Sequence, residues 1–564
     1  MWKKKNEKVT TIEEVIINNL NLKNINEIKK WFNKDFYIKN IDKIANYLLS
    51  NKEKNITIVG DYDCDGITST TILYRTLKEL GFNVSYRIPK RKTEGYGLNP
   101  IIIDEIESGI LITLDNGIAA FPAIDKAKEK GLTVIIIDHH LPVMENDKIV
   151  LPNADIIVDP HIEEKSTFKN YCAAGLAYKL VLLLTDDINL LNTANSLACI
   201  GTIADLMPLV EENYVIVKKG LKTLTLKDNT GRNIGLFSLL RKTGLDDLIT
   251  ETDISFKLAP CINSAGRLYD DGASYVMKLL TCEEDIEKAD KMSDALLLIN
   301  DERKKKKENG TEKVKENIIK NHLENDFPLI VYEPNIEEGV IGNIAGNIKE
   351  LYKRPCIILS DTTDSNIVKG SGRTYGDINL YELLSPYSDD YYSFGGHSGA
   401  CGISIKKENL QNCLSKMQNN TSINLTVDED NYYDLEIDTE KDDIVQICKD
   451  LLKYTPFGEG NKKIVFKINY KCFAKNGKDY SSIMGSKKQA IKLYGKGYSA
   501  VSFDGAEKYL ALGSPKNLVL YGTITINHFN GNIFPQIEII DFYKANKNTD
   551  KILTELQKKL YSIK

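Results

Sequence analysis

ITIVGDYDCDG (residues 56–66) is a short β-branched run that stops at a glycine and then releases three carboxylates, Asp61, Asp63 and Asp65. An apolar run of this length bounded by a turn signal reads as a buried strand of a parallel sheet. Three further apolar runs end in the same way. ILITL (110–114) runs into Asp115, Asn116 and Gly117; TVIII (133–137) runs into Asp138, His139 and His140; ACIGTIA (198–204) runs into Asp205. Helical stretches separate the runs, so this part of the chain reads as an α/β unit around a parallel sheet. In such a sheet ligands bind outside the carboxyl ends of the strands. The first three runs should therefore deliver their acids and histidines to one edge, with Asp205 joining them from a helix end.

One strand ending in one Asp is commonplace, since that Asp usually caps the next helix. A lone His-His pair is more often structural than ligating. Four such runs together, holding two of the six histidines in the chain, point to chemistry instead. Two like charges ~4 Å apart repel by about 4 kcal/mol at an effective dielectric near 20. Clustered acids with no Arg in the same runs therefore need cations. Oxygen donors with one or two imidazoles suit Mn²⁺ or Mg²⁺, and the absence of thiolates at these positions weighs against structural zinc. In an extended segment Asp63 and Asp65 lie about 6.6 Å apart on one face. That spacing can straddle two ions ~3.5–4 Å apart, with Asp115 placed to bridge them. The residues read as a two-metal hydrolase.

The rest of the chain divides by texture. Residues 1–50 read as an N-terminal helical segment, with Ile12, Val15, Ile16 and Leu20 at helical spacing. Residues 51–280 hold the α/β unit. Residues 281–323, rich in Glu, Lys and Asp, read as a long connecting helix in which Gly310 is a candidate interruption. A second α/β unit covers 324–425, and 430–545 reads as a small β-barrel. The 564 residues are 42% apolar, enough for several cores, and the net charge of −5 excludes a histone-like or ribosomal basic protein. The ten cysteines contain no CxxC pair, which argues against a zinc ribbon or a secreted disulfide scaffold and for a reducing cytoplasm. No apolar run is long enough to span a bilayer, and no apolar stretch follows the basic start, so neither a membrane partner nor a signal peptide is expected.

GDYDCDG (60–66), LDNG (114–117), DHH (138–140) and GTIADLMPL (201–209) resemble, in order, the four motifs of the DHH phosphoesterases. EGYGL (94–98), NSAGR (263–267), EGVIGNIAG (338–346), GSGR (370–373) and FGGHSGACG (394–402) resemble the branch of exonucleases specific for single-stranded DNA, the last three lying in its DHHA1 domain. The resemblance implies a DHH domain, a DHHA1 domain and an OB-fold. It implies Asp63, Asp65, Asp115, His139 and Asp205 as ligands of two Mn²⁺ or Mg²⁺ ions. Asp61 would orient the first loop, Asp138 would fix a neighbouring imidazole, and His140 would face the scissile phosphate. Tyr96 would stack on a base; Asn263, Arg267, Ser371, Arg373 and His397 would hold DNA phosphates, with the N–H groups of Gly395 and Gly396 as an anion nest. Two positions depart from the family. Val59 stands where some branches carry a ligand His, so one metal is expected to bind more weakly. Ile336 and Glu337 stand where relatives often carry Trp-His.

Between Asn461 and Lys516 twelve lysines face three acids, interleaved with Tyr470, Phe473, Tyr480, Tyr494, Tyr498 and Phe503, a composition suited to single-strand binding. The run from Arg303 to Lys307 on the connecting helix reads as a solvated face. The activity the resemblance implies is 5′→3′ degradation of single-stranded DNA to nucleoside 5′-phosphates in repair and recombination, by a monomer. A single-stranded-DNA-binding protein and a helicase are the partners to test. An oligoribonuclease or nucleotide phosphatase, and a catalytically silent DNA-binding scaffold, stay open at this point.

Overall fold

The computed structural model describes residues 2–162, 166–225, 233–245, 248–283, 285–362, 364–418, 431–475, 477, 479–529 and 532–545. The chain forms two compact units, one from Phe36–Asp205 and Lys219–Asp428, the other from Met1–Asp35, Leu206–Lys218 and Glu429–Lys564. The boundary expected between 425 and 430 lies outside the described residues.

In the first unit the opening strand Ile56–Val59 sits inside a five-stranded, wholly parallel sheet. Its neighbours are Val84–Arg87 on one side and Ile110–Leu114, Thr133–Ile137 and Ile156–Val158 in succession on the other. In chain order this is 2-1-3-4-5, whose switch point lies between the first and third strands, where Asp61–Asp65 and Asp115 emerge. Ile56, Ile58, Leu111, Ile112, Val134 and Ile136 are buried, as a sheet covered on both faces requires. The helix Cys64–Glu79 packs against the helices Ala173–Leu184 and Ile188–Ala204. The fourth apolar run is the last part of Ile188–Ala204, and Asp205 is its C-cap.

The connecting helix, Ile286–Lys320, runs unbroken for 35 residues, about 52 Å. Gly310 does not interrupt it. A Cβ there would meet Ile344 Cδ1 at 2.5 Å, so the glycine lets the helix Glu338–Tyr352 approach closely, at a helical cost of about 1 kcal/mol. A second sheet follows in the order Ser393–His397, Ala400–Lys406, Ile367–Arg373, Cys356–Asp361, Leu329–Tyr332. Only its last pair is parallel.

The other unit carries a seven-stranded mixed sheet ordered Leu435–Asp438, Val465–Lys471, Asn517–Phe529, Asn532–Lys544, Ser499–Ser502, Ala490–Tyr494, Ser481–Met484. This is the OB-like barrel, left open between its first and last strands. The start of the chain folds with it. Trp2–Lys4 pairs in parallel with Asn431–Tyr433, and Val15, Ile16, Ile28 and Trp31 share a core with Phe466, Ile468 and Leu520. Thr11 and Glu14 form a capping box that starts the helix Ile12–Asn19. The N-terminal segment read as one piece is thus divided at Asp35.

Candidate metal centre and phosphate-binding surface

Five acids and two histidines converge at the carboxyl edge of the parallel sheet. His139 Nε2 lies 3.0 Å from Asp115 Oδ1, 3.7 Å from Asp65 Oδ2 and 3.7 Å from Asp205 Oδ2. Three groups of potential ligand atoms, each within 4.8 Å, are Asp65–His139–Asp205, Asp61–Asp63–Asp115 and Asp115–His139–His140. Asp115 belongs to two of them, one with Asp61 and Asp63 and one with His139 and His140. Asp61, expected only to orient the loop, stands among the potential ligand atoms as well.

Local structure explains how each carboxylate is held. Asp63 caps the helix Cys64–Glu79, its Oδ1 accepting from the N–H groups of Asp65 at 3.0 Å and Gly66 at 3.1 Å. Asp65 accepts from the N–H groups of Ala173 and Ala174 at 2.7 and 2.9 Å, at the positive end of a second helix. Asp115 has φ +64°, a left-handed conformation that costs a non-glycine residue about 1–3 kcal/mol and recurs at functional sites. Helix Ile188–Ala204 reaches the cluster because Gly201 has no side chain; a Cβ there would meet Asp65 Oδ1 and Thr68 Oγ1, each at 2.7 Å.

Burial, and then neighbouring carboxylates, pushes Asp61 and Asp115 well above the carboxylate range and lifts Asp205 to about 8. Burial also raises Asp65 and lowers His139. The protein alone does not stabilise so many negative charges. The donor set, carboxylate oxygens around one neutral imidazole, fits hard or borderline divalent cations. Val59 is buried in its strand and contributes no donor.

Asp138 stands behind the histidines. Its Oδ1 accepts from His140 Nδ1 at 2.8 Å and from the N–H groups of His139 and His140, and its Oδ2 accepts from Ile118 N–H. Burial would raise this carboxyl, but His140, His139 and the Ile118 N–H outweigh it and hold it at about 2. Burial would likewise lower His140, but Asp138 prevails and lifts it to about 9. Tyr96 O–H lies 3.1 Å from His140 Nε2 and donates to the Asp115 carbonyl at 2.9 Å, so the hydroxyl is committed to the centre.

The phosphate candidates fall into two sets. Arg267, on the helix Ala259–Leu268, donates to the Gly339 carbonyl at 3.4 Å; burial, then Arg91, Arg303 and Arg373, lowers it to about 10. Arg373 Nη1 donates to Ser371 Oγ at 2.8 Å, and a Cβ on Gly342 would meet its Nη2 at 2.6 Å. Among the described residues none of these four guanidiniums is paired with a carboxylate, an arrangement that calls for an anion. Asn263 lies one turn before Arg267 on the same helix. Gly395, Gly396 and His397 differ from expectation. They lie in an extended edge strand paired with Ala400–Lys406, so their N–H groups do not converge as a nest. His397 Nδ1 accepts from Gly399 N–H at 3.1 Å, and among the described residues no hydrogen bond or ion pair joins these three to the acids.

Arg303 also departs from its reading as a solvated residue: it is 8% exposed and its Nε donates to Asn300 Oδ1. Two further positions are not among the site residues expected from the sequence. Arg91 lies with its guanidinium carbon 4.8 Å over the Tyr62 ring. Asp159 follows the strand Ile156–Val158, a fifth apolar run ending in Asp, and this repeated pattern is its signal. In the barrel unit Tyr470 is core, not a stacking platform, whereas Phe503 is 66% exposed. Lys516 lies 3.9 Å over Tyr480 and Lys475 5.2 Å over Tyr494, while Lys463, Lys467, Lys471 and Lys508 are paired with acids. Lys478 lies outside the described residues.

Three family descriptions match consecutive parts of the chain: the DHH family N-terminal domain over residues 55–207, the DHHA1 domain over 326–422 and the RecJ OB domain over 433–541. Fold and site together define a DHH-family protein with DHHA1 and OB domains. The chain is 32% identical over 504 residues to the single-stranded-DNA-specific exonuclease RecJ of Bacillus subtilis, covering 87% of this chain and 62% of that protein. It is also 32% identical over 397 residues to the RecJ of Haemophilus influenzae, covering 66% and 67%. The chain belongs to the RecJ family. It spans 62–67% of the length of these two curated relatives. The Mn²⁺ complex of RecJ from Thermus thermophilus shares the fold, with TM-score 0.74 and 23% identity, covering 94% of this chain and 76% of that one. A manganese-bound exonuclease RecJ aligns at TM-score 0.57 and 27% identity, covering 68% and 94%.

Proposed function

We propose that this chain is a metal-dependent exonuclease that degrades single-stranded DNA from its 5′ end to nucleoside 5′-phosphates, serving DNA repair and recombination. The observation that carries this reading is His139 Nε2 facing the carboxylates of Asp65, Asp115 and Asp205 at 3.0–3.7 Å. Asp63, Asp65, Asp115, His139 and Asp205 would hold two Mn²⁺ or Mg²⁺ ions, with Asp61 close enough to assist. When bound, such a pair lowers the pKa of a shared water and neutralises charge on the phosphate.

The chain's own residues supply the rest. Asp138 fixes His140 by its Nδ1, so that the ring stays charged at neutral pH with its Nε2–H beside the Tyr96 hydroxyl at 3.1 Å. That N–H can hand a proton to the departing 3′ oxygen as the phosphodiester opens. Arg91, Arg267 and Arg373, with Ser371, grip neighbouring phosphates through planar forks. Asn263, one turn from Arg267, and His397 would add side-chain contacts to the strand, with Gly395 and Gly396 offering backbone N–H groups from an edge strand. Incubating end-labelled single strands, duplexes and dinucleotides with Mn²⁺ tests the reading: stepwise release of 5′-mononucleotides from single strands alone is expected, and preference for dinucleotides or no release would overturn it.

On the same reading the enzyme works in the cytoplasm as a monomer, beside a single-stranded-DNA-binding protein and a helicase. Among the described residues no helix is long and apolar enough to cross a membrane.

A further inference from the structure

Beside His140, on a wall it shares with the acid centre, opens a cavity of about 390 Å³. Leu98, Ile118, Ala119, Ala120, Pro122 and Leu141 are among its lining residues, and the lining is mostly apolar. Leu141 and Tyr96 are both exposed at its mouth. The polar side chains that touch the cavity are already committed. Asn116 donates to the carbonyls of Val59 and Leu114 and accepts from Leu98 N–H. Asp138 is occupied by His140, His139 and Ile118, the Tyr96 hydroxyl by Asp115 and His140, and the two ring nitrogens of His140 by Asp138 and Tyr96.

An occupant therefore meets apolar walls without a free side-chain donor or acceptor. Carboxylates lie close by, so an anionic group is excluded unless a cation screens it. The volume sits near the low end of small-ligand sites, ~300–1,000 Å³, which admits one planar ring system and not a base pair. On the nuclease reading above, which this inference deepens, the neutral planar group nearest the reacting phosphate is a base. We infer that the cavity receives the base of a nucleotide flanking the scissile phosphate and does so without reading its identity, because no uncommitted side chain in the walls addresses the base edge.

The test uses the full chain with Mn²⁺ and 5′-end-labelled single strands that are intact, abasic at the first nucleotide or abasic at the second. Ala119→Phe narrows the cavity from an exposed position, and Leu141→Ala removes part of its wall; thermal melting checks that both fold. Wild-type kcat/KM is expected to fall about tenfold when the base that uses the cavity is missing, since stacking a base is worth ~1–3 kcal/mol. Ala119→Phe should slow the intact strand by about as much and slow that abasic strand no further. Intact strands differing only in the base at that position should agree within about threefold, because the cavity presents no free side-chain donor or acceptor to the base edge. Equal rates on intact and both abasic strands, or uniform slowing of all strands by the two variants, would overturn the inference and leave the nuclease reading standing. Absence of cleavage by the wild type would overturn both.

Discussion

At the scale of single residues the centre is a set of charges that cannot coexist unaided. His139→Ala and Asp138→Ala are each expected to lower turnover of a single strand at least a thousandfold while thermal melting shows a folded protein, because His139 faces three carboxylates and Asp138 holds His140 by its Nδ1. Full activity in either variant would refute the site. Gly201→Ala should destabilise by about 1–3 kcal/mol, since its Cβ would overlap Asp65 Oδ1 and Ala174 Cβ; a chemical-denaturation midpoint reads this directly.

Asp159 gives a test in pH. It is buried, its Oδ2 has no hydrogen-bond partner among the described residues, and burial lifts its carboxyl to about 7 against ~3.9 in an unfolded chain. Its folded pKa is raised, so its contribution to stability is fully present below pH ~4 and is lost as pH rises to 7. Asp159→Asn should leave the melting temperature nearly unchanged at pH 4 and stabilise by on the order of 1–3 kcal/mol at pH 8. A loss of stability at pH 8 would mean that the ion itself is needed there.

At the scale of elements, the loop carrying Arg91 and Tyr96 is tied to the end of the Arg267 helix and the corner after it by two side chains, Asp270 and Lys92. Asp270 Oδ1 accepts from the N–H groups of Lys92 and Thr93 at 2.6 and 3.2 Å, and Oδ2 accepts from Thr93 Oγ1 at 2.7 Å. Lys92 Nζ in turn donates to the Leu268 carbonyl at 2.8 Å, at a helix C-terminus where a cation is favoured. Asp270 thereby holds the two guanidinium-bearing segments in register without touching the acid cluster. Asp270→Ala is expected to raise KM for single strands about tenfold with kcat within about twofold, the pattern of weakened ground-state binding. Hydrogen exchange should show the Lys92 and Thr93 amides losing protection. Unchanged KM with unchanged exchange would show that the loop holds itself.

At the scale of the whole molecule, the composition of the barrel unit and its connectivity set different expectations. Removing residues 430–564 would take away the partners of Val15, Ile16, Trp31 and Tyr214, which share that unit's core, so such a truncation would expose apolar surface as well as remove a binding face. Charge substitution is the cleaner probe. Changing Lys475, Lys492 and Lys516 to Glu should weaken binding of long single strands and reduce the slope of log K against log salt by about 0.7 for each phosphate that is no longer neutralised. Titrations with a fluorescent strand at several salt concentrations would check it, and an unaltered slope would remove this face from the path of the DNA.

Much of the centre was legible in the linear sequence. A strand's apolar run and the acid that ends it are adjacent in sequence, so Asp61, Asp115 and Asp138 declared both their element and the sheet edge they occupy. The lysine excess of residues 461–516 was equally local. Four features became visible only through packing: the burial of Arg303 and Tyr470, the extended edge strand at Gly395 and Gly396, the pin from Asp270 to Lys92, and the joining of residues 1–35 to the barrel. Local pattern reports which face of an element is apolar, whereas burial and hydrogen-bond partners depend on which distant segment covers that face. Sequence therefore determined the chemistry brought to the sheet edge, and the tertiary structure decided which charges are compensated, which arginines are left for an anion, and where a neutral group can enter beside them.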